Sequence, residues 1–157
     1  MKRTAFLFVS LLLAGTLYAA GSSGGSGGGG SAAPAMKKSA LDWYNAGFAA
    51  SQAENYKEAI GDFQKALSMN RDYAEADNML GFCLRKLGRI QEAFSYYEKA
   101  LKLKPDFPEA REYYGEAQLQ NGNLAGALEQ YRILEQSGRP EAQELSAKIE
   151  EYKNRQL

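Results

Sequence analysis

Polar and apolar residues between positions 40 and 155 alternate with the spacing of amphipathic helices. Apolar side chains recur at intervals of three and four, as in Ala59, Phe63 and Ala66, which places them along one stripe of a helix. Short polar or glycine-containing breaks, which are typical of turns, interrupt the stripes at Glu54-Asn55, Gly88-Arg89 and Gly122-Asn123. The pattern therefore predicts an all-α fold of antiparallel helix pairs without strands.

The helical pattern also repeats every 34 residues. A shift by this length aligns three glycines, three alanines and three aromatic residues: Gly47, Gly81 and Gly115; Ala59, Ala93 and Ala127; Phe63, Tyr97 and Tyr131. A glycine inside a helix costs about 0.5–1 kcal/mol relative to alanine, so its recurrence indicates close approach between helices. A unit of this length with these residues resembles the tetratricopeptide repeat, a helix-turn-helix module.

The resemblance implies a right-handed α-solenoid of three repeats, at 40–73, 74–107 and 108–141. The second unit matches the family pattern most completely, with Leu80, Gly81, Leu84, Ala93, Tyr97, Ala100 and Pro105. Several positions depart from the pattern: Gln118 replaces an apolar residue, Asp77 and Arg111 an aromatic residue, and Arg71 and Arg139 a proline. We expect looser packing at those positions.

Residues 140–157 are predicted to form a C-terminal capping helix. Repeat arrays need a cap because each unit buries its apolar face only against a neighbour. Pro140 can begin a helix, and one side of the segment is apolar, with Ala142, Leu145, Ala147, Ile149 and Tyr152. The other side is expected to face water and carries Glu141, Glu144, Glu150, Glu151, Lys153 and Arg155.

Residues 1–20 are typical of a secretory signal peptide, because Lys2 and Arg3 precede an apolar run from Ala5 to Ala20. An uncleaved N-terminal membrane anchor is the alternative, although a bilayer span needs about 20 apolar residues. We therefore expect an exported protein, periplasmic or secreted in a bacterium, with anchoring to the inner membrane as the alternative. The glycine- and serine-rich residues 21–35 are predicted to be a flexible linker, native or engineered.

Charge argues against a nucleic-acid partner. The chain has 19 basic and 19 acidic residues, and removal of residues 1–20 would take away two of the basic ones. A protein that binds nucleic acid needs a basic face that neutralises phosphates. The membrane is expected to matter only through an uncleaved N-terminal segment.

Candidate chemistry is sparse. The chain has no histidine, which is the usual general base and the commonest transition-metal ligand. Its single cysteine, Cys83, takes a place that alanine holds in the other two units, so we interpret it as a small packing residue. The acidic residues Glu109, Glu112 and Glu116 follow one helix stripe instead of the tight loop that a calcium site requires. We predict no catalytic residue, no metal site and no cofactor.

The resemblance also implies where a partner binds, since the first helix of each tetratricopeptide repeat lines a concave groove. The corresponding residues are Leu41, Tyr44, Phe48 and Gln52; Glu75, Asn78, Phe82, Arg85 and Lys86; Glu109, Glu112, Glu116 and Gln120. This groove is expected to be aromatic at one end and acidic at the other. It favours a partner segment that is basic or has apolar anchors.

Members of the family that bind chaperones hold a C-terminal carboxylate with lysine, arginine and asparagine side chains on this face. The matching positions here carry Tyr44, Phe48, Met79, Glu109 and Tyr113. None of the five supports that role, and Glu109 would repel a carboxylate. The sequence therefore argues against a co-chaperone of this type.

The function predicted from these features is that of an exported, non-catalytic adaptor or scaffold, which binds a segment of another protein in the groove. The alternative is a structural protein of the cell envelope that assembles with itself, its groove accepting a neighbouring copy. An enzyme is not expected, because no nucleophile, base and orienting group can be assembled from this sequence.

Overall fold

The computed structural model describes residues 37–157, so the predicted signal peptide and linker lie outside the described residues. This part of the chain is all-α, without strands. None of its helices is both long and apolar enough to cross a membrane. The helices are α1 (Ala40–Gln52), α2 (Tyr56–Met69), α3 (Ala74–Lys86), α4 (Ile90–Leu103), α5 (Pro108–Gln120), α6 (Leu124–Gln136) and α7 (Glu141–Asn154).

Local sequence signals set several helix starts. At α1, Ser39 Oγ accepts a hydrogen bond from the Asp42 amide at 3.2 Å, and Asp42 Oδ2 accepts one from the Ser39 amide at 2.8 Å. This reciprocal capping box satisfies two amide groups that the helix itself leaves free. Asn123 caps α6 by accepting from the Gly126 amide at 3.0 Å. Pro108 takes the first position of α5, where its missing amide hydrogen is not needed.

The turns within the helix pairs share one left-handed residue. It is glycine after α3 and α5, where Gly88 and Gly122 have φ of 77° and 78°, and again before α7, where Gly138 has φ of 64°. In the first pair, Glu54 takes this conformation with φ of 59°. Because a side chain is disfavoured there, the first turn is the strained member of the set.

The recurring helix glycines lie where neighbouring side chains come closest. A Cβ atom on Gly47 would lie 3.0 Å from the Phe63 ring, and one on Gly81 would lie 2.9 Å from the Tyr97 ring. At Gly115 the neighbour belongs to the cap, since an added Cβ would lie 2.5 Å from Leu145 Cδ2. Close approach explains why the repeat places glycine in all three helices.

The helices stack as consecutive pairs. The first helices α1, α3 and α5 contact one another in order, and α7 continues the row. Within the described part of the chain, α2, α4 and α6 contact only the helices before and after them. The row is therefore the inner layer of a helical solenoid, as the sequence predicted. Fully buried Phe63, Leu80 and Tyr97 centre the core of the first two repeats. Buried Leu134 and Leu145 centre a second core between the third repeat and the cap.

The capping helix buries three of its predicted apolar residues, Ala142, Leu145 and Ile149. Tyr152 is half-buried, and Ala147 is exposed. The prediction for Ala147 is therefore wrong, because this residue is two positions from Leu145 and two from Ile149 and so points away from their stripe.

Polar residues that replace the family's aromatic residue find partners on the following helix. Asp77 is fully buried, and Lys99 Nζ lies 3.0 Å from its Oδ1 and 2.9 Å from its Oδ2. Burial raises the pKa of Asp77, while Lys99 opposes that shift. In the third repeat Arg111 donates to Gln130 Oε1 at 3.2 Å and to the Pro105 carbonyl at 2.9 Å. These contacts keep polar departures compatible with the solenoid.

Candidate functional site

The inner row of helices α1, α3, α5 and α7 is the candidate binding face. The residues predicted to line it fall into three classes of exposure. Leu41, Phe48, Gln52, Lys86, Glu109 and Gln120 are exposed; Tyr44, Glu75, Phe82 and Glu116 are half-buried; Asn78, Arg85 and Glu112 are buried. The last three lie below the surface, so a partner meets them only at the floor of the face.

The α1 end of the face is aromatic and open. Phe48 is 42% exposed and Leu41 58%, and no helix packs on the outer side of α1 within residues 37–157. The Tyr44 ring lies 6.3 Å from the Phe48 ring and 5.0 Å from the Tyr73 ring, centre to centre. Since large exposed apolar groups mark interaction surfaces, this end offers apolar contacts to a partner.

A charged pair occupies the middle of the face, between α3 and α5. Arg85 Nη1 lies 2.6 Å from Glu116 Oε2, and the Arg85 side chain is only 3% exposed. Its guanidinium also lies 5.6 Å from the Phe82 ring centre and 5.9 Å from that of Tyr113. The two rings are 5.3 Å apart. Glu116 is therefore neutralised within the fold and does not present a free negative charge.

The last part of the face brings carboxyl groups together across α5 and α7. Glu112 is 8% exposed. Burial raises its pKa to about 8, helped by the neighbouring Glu144, Glu116 and Glu141. The predicted acidic stripe of α5 is thus uneven: Glu109 is exposed, Glu112 holds a proton at neutral pH, and Glu116 is paired with Arg85.

The cap helix also contributes to the face at the C-terminal ends of α3, α5 and α7, away from Glu112. There a cavity of about 310 Å³ opens between α3, α5 and α7. Its charged lining mixes both signs, from Arg85, Lys86, Glu116, Lys148, Glu151 and Arg155. Lys148 and Arg155 both approach Glu151, at 3.8 and 3.9 Å. The face is therefore acidic toward the starts of α5 and α7 and basic toward the ends of α3 and α7.

Sequence reasoning missed two contributors to this face. Tyr113 packs against Phe82, yet it was considered only as a chaperone-binding position. Glu144 was predicted to be a solvated cap residue, and it is exposed, but it also faces Glu112. The spacing of four between Glu109 and Tyr113 puts both on one stripe of α5 and was a usable signal for Tyr113. Nothing in a single sequence indicates which stripe of α7 meets α5.

Reactive chemistry is weak on this face. Among residues 37–157, no group of three or more histidine, cysteine, aspartate or glutamate side chains is arranged to hold a metal ion. Cys83 is fully buried, and burial raises the pKa of its thiol to about 12, so the thiol stays protonated and unreactive. The arrangement is suited to contacts with another chain, through aromatic rings and fixed charges.

Two family models match the chain, both described as tetratricopeptide repeat. One matches residues 44–106 and the other residues 84–149. Together they extend over more than half of the chain. A comparison with curated proteins finds no match.

Solved structures share the fold. PcrH of Pseudomonas aeruginosa, in complex with the chaperone binding region of PopD, has 24% identity and a TM-score of 0.66, covering 74% of this chain and 92% of that one. SycD of Yersinia enterocolitica, in complex with a peptide of the translocator YopD, has 22% identity and a TM-score of 0.64, covering 74% and 94%. Another structure of SycD is described as an alternative dimer. The TPR2B domain of yeast Sti1, in a complex with pHsp70, has 19% identity and a TM-score of 0.67, covering 74% and 97%.

Proposed function

Because the chain belongs to the tetratricopeptide repeat family, we propose that it is a non-catalytic adaptor that binds a segment of a partner protein along its inner face. The observation that carries this proposal is the open aromatic end of the row, where Leu41 and Phe48 are 58% and 42% exposed. Similar folds hold peptide segments in PcrH and SycD. Aromatic anchors beside fixed charges are what a groove needs to fix the position of an extended or helical segment.

The proposed partner is a protein segment with apolar anchors, basic residues or both. Phe48 and Tyr44 supply apolar contacts at one end, and Glu109 adds an exposed negative charge near the other. A chaperone C-terminus is not the proposed ligand, although the Sti1 domain shares the fold. Met79, at one of the carboxylate-binding positions, is 8% exposed and apolar, and Glu109 would repel a carboxylate.

Export is part of the proposal and is supported by the sequence of residues 1–20, with Lys2 and Arg3 ahead of an apolar run. Expression of the full chain in a Gram-negative bacterium, followed by fractionation and N-terminal sequencing, tests it. A periplasmic product that begins near residue 20 is expected. Membrane-bound full-length product would favour the anchor, and cytoplasmic full-length product would contradict export.

A matched pair of substitutions tests the binding face. Phe48→Ala removes an exposed apolar group from the inner row, and Met69→Ala removes one of similar exposure, 47%, from the end of α2. We expect an envelope extract to yield a partner captured by the wild type and by Met69→Ala, and captured less by Phe48→Ala. The purified partner should then bind Phe48→Ala at least about tenfold more weakly, the loss typical of an anchor. Equal binding by both variants would contradict a role for this face.

Self-assembly is the second candidate, favoured by the same exposed Leu41 and Phe48. A second copy would cover these side chains in a symmetric dimer, because a two-fold interface uses the same patch twice. Light scattering across a concentration series separates the two functions. A mass that stays monomeric at high concentration would exclude self-assembly, whereas a dimer that Phe48→Ala disrupts would favour it.

A further inference from the structure

The cavity between α3, α5 and α7 carries an excess of positive charge. We call it the cap cavity, because the cap helix α7 forms one of its walls. Its charged side chains are Arg85, Lys86, Glu116, Lys148, Glu151 and Arg155. Four of them are basic and two are acidic, so two positive charges have no negative counterpart in the lining. The cap cavity therefore favours an anion.

One acid of the cavity is already bound by the fold. Glu116 Oε2 lies 2.6 Å from Arg85 Nη1, and the Arg85 side chain is 3% exposed. The rings of Phe82 and Tyr113 lie beside the guanidinium and hold it in place. This pair therefore forms a fixed, neutral wall, and the positive excess comes from the other side chains.

The other basic side chains are loosely paired. Lys148 Nζ and Arg155 Nη1 approach the two carboxylate oxygens of Glu151 only at 3.8 and 3.9 Å, which is longer than a hydrogen bond. The Lys86 ammonium lies 5.3 Å from the Phe82 ring centre, and within residues 37–157 it has no acidic partner. Three cationic groups thus share one carboxylate, and their N–H donors are available to a ligand.

Helix dipoles account for only part of this arrangement. Lys86 lies in the last turn of α3, and Arg155 follows the last residue of α7, where positive charge is favourable. Lys148 lies in the middle of α7, beyond the reach of the dipole at either end. In the described part of the chain, the basic side chains that donate to backbone carbonyls are Lys99 and Arg111, and not these three. The contacts of the fold therefore leave the excess positive charge unused.

On the basis of the proposed function, we propose that the cap cavity binds a carboxylate of the partner segment, from an aspartate or glutamate side chain or from its C-terminus. Lys86, Lys148 and Arg155 donate charge-assisted hydrogen bonds to it. The cap helix is then a part of the binding site, because two of these three donors come from α7. The acid adds to the apolar anchor that the α1 end of the face favours.

This site differs from the one at which chaperone-binding members of the family hold a carboxylate. The matching positions carry Tyr44, Phe48, Met79, Glu109 and Tyr113, and none of them lines the cap cavity. The proposed carboxylate is held at another place on the face, by residues of α3 and α7.

The probe for this inference is a random linear peptide library with free C-termini, selected in parallel on four proteins. These are the wild type, Lys86→Gln, Lys148→Gln, and the control Lys102→Gln, which removes an exposed lysine of the outer helix α4. Circular dichroism confirms that each variant is folded. Peptides enriched on the wild type and the control should share a carboxylate at one position. They should bind each cavity variant about threefold to fivefold more weakly, the loss typical of a partly exposed ion pair.

A charge reversal gives a readout that the loss of a purely structural contact would not give. Selection on Lys86→Glu should replace the shared acid by lysine or arginine. A synthetic peptide in which the acid is changed to lysine should bind Lys86→Glu more tightly than it binds the wild type, because the ion pair is restored with its signs exchanged.

Amidation of the peptide C-terminus separates the two sources of the carboxylate. Binding of an amidated peptide should be unchanged if the cavity holds an acidic side chain. It should weaken, and lose its dependence on Lys86 and Lys148, if the cavity holds the C-terminus.

Each outcome has a defined meaning. Peptides that bind the two cavity variants as tightly as the wild type, or that need no carboxylate, would overturn the cap cavity and leave the adaptor function standing. A library that enriches on none of the four proteins would count against both. Weaker binding to the two cavity variants alone, together with the exchange of acid for base on Lys86→Glu, would support the cap cavity.

Discussion

The interior of the second repeat and the junction between the third repeat and the cap have a glycine at the same position of the repeat, but they differ in the side chains and buried charges around it. Beneath Gly81 lies the ring of Tyr97, which is fully buried, whereas beneath Gly115 lies Leu145 of the cap. Buried charge in the second repeat is paired, as in Asp77 with Lys99. At the cap junction the buried carboxyl of Glu112 faces other acids.

This difference shows that a repeat fixes spacing more strictly than it fixes chemistry. A glycine in register is enough to bring two helices together, but the neighbouring polar residues decide whether the contact is stable at every pH. The second repeat is a closed, charge-balanced core. The cap junction carries an electrostatic cost that protonation of Glu112 relieves.

The largest expected effect comes from removing the central side chain of each region. Tyr97→Ala should lower the free energy of unfolding by about 4 kcal/mol and Leu145→Ala by about 3 kcal/mol, as is typical of large buried side chains. Because the cap contacts only α5 and α6 among the helices of residues 37–157, Leu145→Ala should speed amide exchange first in α7. Urea denaturation and hydrogen exchange measure both effects.

The exposed residue Gln143 of α7 provides a control, since Gln143→Ala should change the stability by less than about 0.5 kcal/mol. If Leu145→Ala accelerated exchange equally in all helices, the two regions would unfold as one unit. The comparison between a closed core and a separable cap would then fail.

The helices and their order could be predicted because the repeat constrains residues close in sequence. Gly81 and Tyr97 lie on the two helices of one repeat, α3 and α4, which a single short turn connects. Their spacing recurs in each unit. The face could not be predicted in detail, because its charges meet across helices. Arg85 and Glu116 belong to different repeats, and helical spacing assigns each to a stripe without saying what packs opposite.

The next largest effect concerns the paired charge of the second repeat. Lys99→Met should lower the free energy of unfolding by about 2–3 kcal/mol at neutral pH, because it leaves the fully buried Asp77 carboxylate without its ion pair. The double substitution with Asp77→Asn should recover much of the loss, since no charge then remains buried. Urea denaturation of the single and double variants measures the coupling. Equal stability of Lys99→Met and the wild type would show that the pair contributes nothing.

The buried carboxyl of Glu112 should respond in the opposite sense. The folded protein holds a proton on Glu112, whose pKa is raised from 4.5 to about 8, while the unfolded chain releases it. Its contribution to stability is therefore complete below about pH 4.5, falls as pH rises toward about 8, and stays lost above. The amide of Glu112→Gln does not ionise, so near pH 9 this variant should be more stable than the wild type by about 2 kcal/mol.

Thermal or urea denaturation between about pH 4.5 and pH 9 measures this difference, and it should vanish at the acidic end. Glu150→Gln, which alters an exposed pair, should follow the wild type throughout. A Glu112→Gln curve parallel to that of the wild type would mean that Glu112 is ionised in the folded state at neutral pH. The contrast with the paired Asp77 would then disappear.

The smallest effect tests a turn that lies outside both regions. Glu54→Gly should raise the free energy of unfolding by about 0.5 kcal/mol. The left-handed conformation costs a residue with a side chain about 1 kcal/mol, and glycine removes this cost. Part of the gain is lost because glycine gives the unfolded chain greater conformational freedom. Glu54 has φ of 59°, and within residues 37–157 its side chain makes no hydrogen bond that the substitution would remove. The control is Gly88→Ala, at φ of 77° in the equivalent turn of the second repeat. Its free energy of unfolding should fall by about 1 kcal/mol, which measures the cost of a side chain in this conformation.

The urea midpoints of the two variants show whether each substitution stabilises or destabilises the protein. Destabilisation by Glu54→Gly would indicate that the Glu54 side chain stabilises the first repeat, whereas the later turns have glycine at this position. The turns would then differ in chemistry, as the second repeat and the cap junction do.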